Sequence, residues 1–166
     1  MANSKLPKKT LKILVVDDDL DDLLIVQDII RKRMKFENPV IDCVTNFEQA
    51  IEKYYTFKHD ICLMDFNLGK RTGISIFNSF RESGINIPMI FLTGNGSEEL
   101  ATRVMKMGAD NYFSKSKLNE EELIEAIRSG IRAYKYFKNV TCYVDTNTYG
   151  GFLEGDLEND KIIEHA

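Results

Sequence analysis

Apolar positions along the chain follow two different spacings. Five short apolar runs have the length of β-strands, at residues 11–16, 40–44, 60–65, 87–92 and 111–114. Between these runs apolar residues recur every three or four positions, which is typical of the buried face of an amphipathic helix. The clearest such stripe is Leu23, Val26, Ile30 and Met34. The pattern therefore predicts five successive strand–helix units.

The predicted helices carry recognisable start signals. Asn46 and Asn119 are placed to cap the second and fifth helices, and Gly94–Ser97 opens the fourth. The residues predicted to face inward on the later helices are Phe47, Ala50, Ile51 and Tyr54, then Ile74, Phe77 and Phe80, then Leu100, Val104 and Met107, and finally Ile124, Ile127, Ile131 and Tyr134.

The alternation of strands and helices indicates the fold class. Repeats of this length favour parallel strands joined by right-handed crossovers. The strands are continuously apolar, as expected where helices cover both faces of a sheet. We predict an α/β fold with a five-stranded parallel sheet, doubly wound as (βα)5 and flavodoxin-like, over residues 9–137. Residues 138–166 are predicted to form an acidic extension that is partly β or disordered, with a strand at Val140–Val144 and a turn at Tyr149–Phe152.

Composition narrows the range of partners. The 166 residues are 43% hydrophobic and 29% charged, as in an ordinary globular protein, with a net charge of −4. Acidic and basic side chains are equal in number through Phe137, so the net charge comes from the extension, which argues against nucleic-acid binding. No apolar run has the length of a membrane span, and no signal-peptide pattern is present. Three cysteines at unrelated spacings favour a reduced protein, so we expect a cytoplasmic location and no membrane partner.

Polar side chains stand where four of the predicted strands end. They are Asp17, Asp18 and Asp19 after the first strand, Asp65 at the third, Thr93 after the fourth and Lys115 after the fifth. Ligands of open parallel sheets bind outside the carboxyl ends of the strands. We therefore expect these groups to converge at one rim of the sheet.

This set of groups suits phosphoryl transfer. Carboxylates in one crevice repel one another unless a cation is present, and Mg²⁺ prefers oxygen ligands. A lysine and a hydroxyl can neutralise or donate to phosphoryl oxygens, and a carboxylate can act as the nucleophile to give an acyl phosphate. The rim is thus predicted to bind Mg²⁺ and to accept a phosphoryl group.

Four motifs resemble the receiver domain of two-component response regulators. They are Leu14-Val-Val-Asp-Asp-Asp19, Asp60-Ile-Cys-Leu-Met-Asp65, Met89-Ile-Phe-Leu-Thr-Gly94 and Gly108-Ala-Asp-Asn-Tyr-Phe-Ser-Lys115. The resemblance implies that Asp65 accepts a phosphoryl group from a histidine kinase or phosphotransfer protein. It implies that Asp17, Asp18, Asp65 and the backbone carbonyl of Asn67 bind Mg²⁺.

The same resemblance assigns further roles around Asp65. Thr93 and Lys115 would contact the phosphoryl oxygens, and Tyr112 would be the switch aromatic that turns inward on activation. Asn67 and Asn95 would influence the rate of dephosphorylation. Ser116 replaces the proline that usually follows this lysine in the family, which puts the usual geometry of that loop in doubt.

The predicted output is docking. The resemblance implies a single-domain regulator that relays phosphate or binds a downstream protein through the face formed by helix four, strand five and helix five. This face includes Lys106, Tyr112, Lys117 and Glu121. A homodimer through the helix-five face also fits. No enzymatic activity is expected beyond self-phosphorylation and autodephosphorylation.

Two other readings compete with the receiver. The first is a haloacid-dehalogenase-like phosphatase with Asp17 as nucleophile, but this class needs a later acidic pair and leaves Asp65 without a role. The second is a pure interaction module that takes no phosphate, against which the complete set of Asp65, Thr93 and Lys115 argues.

Overall fold

The computed structural model describes residues 10–139, and these form the predicted α/β fold. The strands are β1 (Lys12–Val16), β2 (Val40–Val44), β3 (Ile61–Asp65), β4 (Met89–Thr93) and β5 (Asn111–Ser114). They make one parallel five-stranded sheet in the order β2-β1-β3-β4-β5. Chain order reverses beside β1 and β3, so the rim above these strands is the expected place for a ligand.

Five α-helices connect or follow the strands, and most begin at a side-chain cap. They are α1 (Leu20–Arg33), α2 (Phe47–Phe57), α3 (Gly73–Glu82), α4 (Glu98–Lys106) and α5, residues 120–139. The predicted cap Asn46 accepts a hydrogen bond from the backbone N–H of Gln49, and Asn119 accepts one from Glu122. Asp19 caps α1 by accepting from the backbone of Asp21 and Asp22. This cap fixes the first turn of α1 directly above the rim.

The face of the sheet under α1 and α5 is an aliphatic core. Strand residues Ile13, Val15, Ile61, Leu63, Ile90 and Leu92 pack there with Leu23, Val26, Ile30, Leu123 and Ile127 of the two helices. On the opposite face Phe91 lies against Phe66 and Phe77, with ring centroids 5.8 and 6.3 Å apart. Burial of each large apolar side chain contributes about 1.5–3 kcal/mol, so β1, β3 and β4 form a rigid base for the rim.

Two aspartates tie the amino-terminal ends of neighbouring strands together. Asp60 accepts a hydrogen bond at Oδ2 from the backbone N–H of Lys12 and donates its own N–H to the Lys12 carbonyl, at 2.9 and 2.8 Å. Asp110 forms the same reciprocal pair with Met89, at 2.8 and 2.9 Å. These pairs satisfy backbone groups at the ends of the ladders and fix the register of β1 with β3 and of β4 with β5.

The structure differs from the sequence prediction in a few places. The fourth strand begins at Met89 because Pro88 has no backbone N–H for the ladder, and it extends to include Thr93. Gly73 starts α3, so Ile76 rather than Ile74 joins Phe77 and Phe80 in the buried face. Two-residue strands Asn67–Leu68 and Arg71–Thr72 form a small hairpin that no periodic pattern indicated.

The chain divides into two compact units, Met1–Ile131 and Arg132–Ala166. Of the second unit the structure describes residues 132–139, which are helical. The predicted strand Val140–Val144 and turn Tyr149–Phe152 lie outside the described residues. Within the described part, none of the helices combines the length and the apolar character that crossing a membrane requires.

Candidate functional site

The carboxyl ends of four strands bring the predicted polar residues to one rim. Asp17 directly follows β1, Asp65 ends β3, Thr93 ends β4 and Lys115 directly follows β5. All five strands run in the same direction, so these positions share the edge that the sequence predicted. Asp17, Asp65 and Thr93 are buried, and Lys115 is partly buried.

Asp17, Asp18 and Asp65 form an acidic cluster. Each offers a carboxylate oxygen, and these oxygens lie within 4.8 Å of one another. Asp17 accepts a hydrogen bond at Oδ1 from the backbone N–H of Asp19, and the exposed Asp18 accepts one from the N–H of Gly69. Gly69 has a φ of 59°, which the hairpin turn requires and glycine adopts readily. A donor set of three carboxylate oxygens fits a hard divalent cation such as Mg²⁺.

Lys115 supplies the positive charge beside this cluster. Its Nζ atom lies 2.6 Å from Oδ2 of Asp17 and 3.1 Å from Oδ1 of Asp65. A third carboxylate, Oδ2 of Asp22 in the first turn of α1, lies 2.7 Å away. One ammonium group therefore links strands β1, β3 and β5 with helix α1.

Burial and charge act in opposite directions on the titrating groups. Burial raises the pKa of both Asp17 and Asp65, and Lys115 opposes that rise in each case. Asp17 and Asp18 raise the pKa of Asp65 further by repulsion. Burial lowers the pKa of Lys115, but its bonds to carboxylates outweigh this effect and raise the pKa overall. The rim thus holds more negative charge than its own cation balances.

Two further hydroxyl groups belong to Thr93, which ends β4, and to Tyr112 on β5, and both side chains lie near Gly96 in the loop after β4. Both oxygens are buried, and neither has a hydrogen-bond partner among the described residues. Burial raises the pKa of the Tyr112 phenol. A buried hydroxyl without a partner is uncommon, and a bound anion is one way to satisfy it. The Thr93 hydroxyl is therefore available to a ligand at this rim.

The remaining predicted residues lie at the margin of the site. Asn67 begins the small hairpin two residues after Asp65, and Asn95 lies in the loop between β4 and α4; both are exposed. Ser116, at the position where the resemblance implies a proline, lies in a single 3-10 turn, Lys115–Lys117. In the hairpin, Arg71 stacks over the ring of Phe47 at 4.2 Å.

Two residues of the site were missed by the sequence reasoning. Asp22 has no role in the sequence prediction, and the helix dipole by itself favours an acidic residue in the first turn of a helix. Its position one turn after Asp19, on the side facing the rim, was an available signal. Gly96 is predicted only as part of the Gly94–Ser97 segment that opens the fourth helix, but a side chain there would collide with the Tyr112 hydroxyl and approach Thr93 Cγ2 to 3.0 Å. That contact had no local signal, because Tyr112 lies on another strand.

Comparison with known sequences identifies similar proteins. The family model described as the response regulator receiver domain matches residues 13–128. The chain is 28% identical over 118 residues to the transcriptional regulatory protein DltR of Streptococcus agalactiae, covering 71% of this chain and 50% of DltR. It is 31% identical over 122 residues to the protein RcaC of Microchaete diplosiphon, covering 74% of this chain and 18% of RcaC. The chain thus spans about half the length of DltR and less of RcaC.

Comparison with solved structures confirms the fold. A CheY-like response regulator receiver domain protein from Methanospirillum hungatei superposes with a TM-score of 0.66 at 23% identity, over 77% of this chain and 98% of that one. The receiver domain of the Francisella response regulator 1452 gives 0.63 at 26% identity, over 75% and 99%. The similarity covers nearly the whole of both neighbours, so their fold is the fold of the described domain.

Proposed function

The chain belongs to the response regulator receiver domain family, and from that premise we propose that Asp65 accepts a phosphoryl group from a histidine kinase or phosphotransfer protein. The reaction depends on Mg²⁺ and takes place in the cytoplasm. The observation that carries the proposal is the position of Asp65, whose Oδ1 lies 3.1 Å from the Lys115 ammonium within the three-carboxylate cluster. A nucleophile, a cation site and a fixed positive charge meet at this point.

The proposed chemistry is nucleophilic attack by the Asp65 carboxylate. One oxygen of Asp65 attacks phosphorus and forms an O–P bond, while the N–P bond of the phosphohistidine breaks and its electron pair returns to the imidazole. The product is an acyl phosphate on Asp65. Lys115 keeps the carboxylate ionised against the effect of burial, and ionisation is the condition for attack.

Neighbouring groups stabilise the transferred phosphoryl group. Asp17, Asp18, Asp65 and the backbone carbonyl of Asn67 would hold Mg²⁺, which supplies charge neutralisation at the phosphoryl oxygens. Lys115 pairs with one phosphoryl oxygen, and the unpaired Thr93 hydroxyl donates to another. Asn67 and Asn95, at the mouth of the site, tune the access of water and so the rate of dephosphorylation. Activity is confined to self-phosphorylation and autodephosphorylation.

We propose that the signal passes from Thr93 to a surface that binds other proteins. Movement of Thr93 toward the phosphoryl group changes the space around the Tyr112 hydroxyl, so Tyr112 transmits phosphorylation to the face formed by α4, β5 and α5. That face binds a downstream protein, passes the signal within a phosphorelay, or pairs with a second copy of the chain. DltR carries the name of a transcriptional regulator; for the present chain the proposed output is protein docking.

The phosphatase alternative is not favoured. In that reading Asp17 would be the nucleophile, but its Oδ1 accepts a backbone hydrogen bond from Asp19 and its Oδ2 is paired with Lys115. Asp65 has no role in that mechanism, although it lies within the cluster. An interaction module that takes no phosphate would not need Asp65, Lys115 and the unpaired Thr93 hydroxyl at one site, so this reading is not favoured either.

The proposal is tested with a small phosphodonor. The full chain is incubated with acetyl phosphate and Mg²⁺, and its intact mass is measured with and without a chelator. We expect one added phosphoryl group, which does not form when the chelator is present from the start of the incubation and does not form in Asp65→Asn. Asp19→Asn, which changes an exposed neighbouring carboxylate, is the control and keeps the label. Persistence of the label in Asp65→Asn contradicts the proposal.

A further inference from the structure

Asp22 is a partner of Lys115 that the proposed chemistry does not use. Its Oδ2 lies 2.7 Å from the ammonium, almost as close as Asp17 at 2.6 Å and closer than Asp65 at 3.1 Å. It belongs to α1 and lies outside the cluster of Asp17, Asp18 and Asp65. The Asp22 side chain is 33% exposed, compared with 16% for Lys115, so this contact is partly shielded from water.

We propose that Asp22 is a positioning residue that holds Lys115 away from the phosphoryl group and so weakens phosphoryl binding while strengthening binding of the divalent cation. This inference rests on the proposed function, because it describes the regulation of the same site. It concerns the relative affinities of the rim for the divalent cation and for the phosphoryl group. Asp22 would set these affinities although it is neither a proposed metal ligand nor the phosphoacceptor.

The number of donors on Lys115 is the first reason. An ammonium group has three N–H donors and no acceptor. In the structure three carboxylates surround it, from Asp17, Asp22 and Asp65. A phosphoryl oxygen can gain a donor only if one of these carboxylates gives one up.

The fate of each partner during the reaction is the second reason. A cation held by the acidic cluster would bind Asp17, and phosphorylation modifies Asp65, so each event acts on a carboxylate partner of Lys115. Neither event changes Asp22, so Asp22 can keep its ion pair with the Lys115 ammonium when the phosphoryl group is present. It is therefore the partner that competes with the phosphoryl oxygens for Lys115.

Formal charge gives the third reason. Four carboxylates, Asp17, Asp18, Asp22 and Asp65, face one ammonium at this rim. A phosphoryl group adds negative charge and a divalent cation removes it, so the charge of Asp22 acts oppositely on the two ligands. Partial exposure screens the effect, and we expect changes of about three- to tenfold, or about 0.7–1.4 kcal/mol by the affinity conversion.

Substitution of the neighbouring residue Asp21 distinguishes a purely structural role of Asp22 in helix α1 from its contact with Lys115. Asp21 lies in the same first turn of α1 and carries the same charge near the helix N-terminus, but it is exposed. Within residues 10–139, no hydrogen bond or ion pair joins its side chain to Lys115. Asp21→Asn therefore removes the helix-dipole contribution without altering the contact in question.

The test measures two affinities in the full chain and in three variants, Asp22→Asn, Asp22→Glu and Asp21→Asn. Calorimetry gives the dissociation constant for Mg²⁺ alone, and ¹⁹F NMR gives that for beryllofluoride at saturating Mg²⁺. In Asp22→Asn we expect the beryllofluoride constant to fall and the Mg²⁺ constant to rise, each by about three- to tenfold. Asp21→Asn leaves both within about twofold, and Asp22→Glu moves both constants back toward the parent values.

Opposite shifts are the signature, since a folding defect weakens both ligands together. Shifts in the same direction, no shift, or equal effects of Asp21→Asn overturn the role of Asp22 while leaving the proposed function intact. If the parent chain itself takes up no beryllofluoride, the proposed function fails and the role of Asp22 fails with it. Thermal unfolding of each variant verifies that all four chains are folded at the temperature of the measurements.

Discussion

The hydroxyl of Tyr112 occupies the space that a side chain on Gly96 would need. A Cβ atom built on Gly96 would overlap this hydroxyl and lie 3.0 Å from Cγ2 of Thr93. The absence of a side chain at one loop position thus permits the inward orientation of an aromatic ring on β5. This relation connects the loop after β4 to β5, the strand that directly precedes Lys115.

The Gly96→Ala substitution is expected to displace the Tyr112 ring from its site beside Thr93. The added methyl group cannot share the space, and overpacking that is not relieved costs about 1–3 kcal/mol. NOESY spectra should lose the cross-peaks between the Tyr112 ring and the Thr93 methyl group. Gly94→Ala is the matched control, because a Cβ at Gly94 meets nothing within 4 Å. Unchanged cross-peaks in Gly96→Ala contradict the steric relation.

Removal of the Lys115 charge is expected to destabilise the metal-free protein. Lys115→Met leaves the buried carboxylates of Asp17 and Asp65 without their cation, and the cost is about 1–3 kcal/mol of unfolding free energy because the site is partly open to water. Saturating Mg²⁺ restores part of the loss. Urea unfolding measures both effects. Lys117→Met, exposed in the same turn, should change stability by less than about 0.5 kcal/mol.

The pH dependence of stability reports the charge of Asp65. Its folded-state pKa is raised above the ordinary value of 3.8, so between 3.8 and the folded-state pKa the folded protein holds a proton that the unfolded chain has released. The free energy of unfolding therefore falls as pH rises through the folded-state pKa, and the penalty persists at neutral pH. Asp65→Asn should be more stable than the parent at pH 7 without metal, on the order of 1 kcal/mol.

The difference between Asp65→Asn and the parent should shrink as the pH falls below 3.8, where Asp65 is protonated in both states. Urea unfolding at a series of pH values measures it. Saturating Mg²⁺ should reverse the order at pH 7, because ligand binding stabilises the parent more than the variant. A difference that is independent of pH contradicts the proposed electrostatic cause.

The contact between Asp110 and Met89 is expected to support the register of β4 and β5. Asp110→Ala removes the acceptor of the Met89 backbone N–H, which costs about 1–3 kcal/mol if that group stays unpaired. Asp110→Asn keeps an acceptor oxygen and should lose less. Urea denaturation of the two variants measures the difference. Equal stability of both variants and the parent contradicts the assigned role.

Much of this architecture could be predicted because it depends on repeated local patterns. The stripe from Leu23 to Met34 has the spacing of a helix, and the run ending at Asp65 is continuously apolar over the length of a strand; both elements are observed. Parallel strands then place their carboxyl ends at one edge, so the convergence of Asp17, Asp65 and Lys115 followed from strand order. The small hairpin Asn67–Thr72 is too short to show any period.

Contacts between elements that lack a repeated pattern could not be predicted. The bond of Asp22 to Lys115 joins residues 93 positions apart, and the contact of Gly96 with Tyr112 depends on the path of a loop. Local rules account for both residue types without these contacts, because acidic residues are favoured at a helix N-terminus and glycine is common in loops. These contacts depend on how the helices, strands and loops pack together, and the spacing of residues along the sequence does not determine that packing.

The most direct measurement locates the acyl phosphate chemically. The full chain is phosphorylated with acetyl phosphate and Mg²⁺, then treated with borohydride, which reduces an aspartyl phosphate to homoserine, and peptide mass spectrometry reads the altered position. If Asp65 is the phosphorylated residue, we expect homoserine at position 65, and we expect no homoserine when Mg²⁺ is omitted from the phosphorylation reaction. Homoserine at position 17 with position 65 unchanged, or no reduced residue at all, contradicts it.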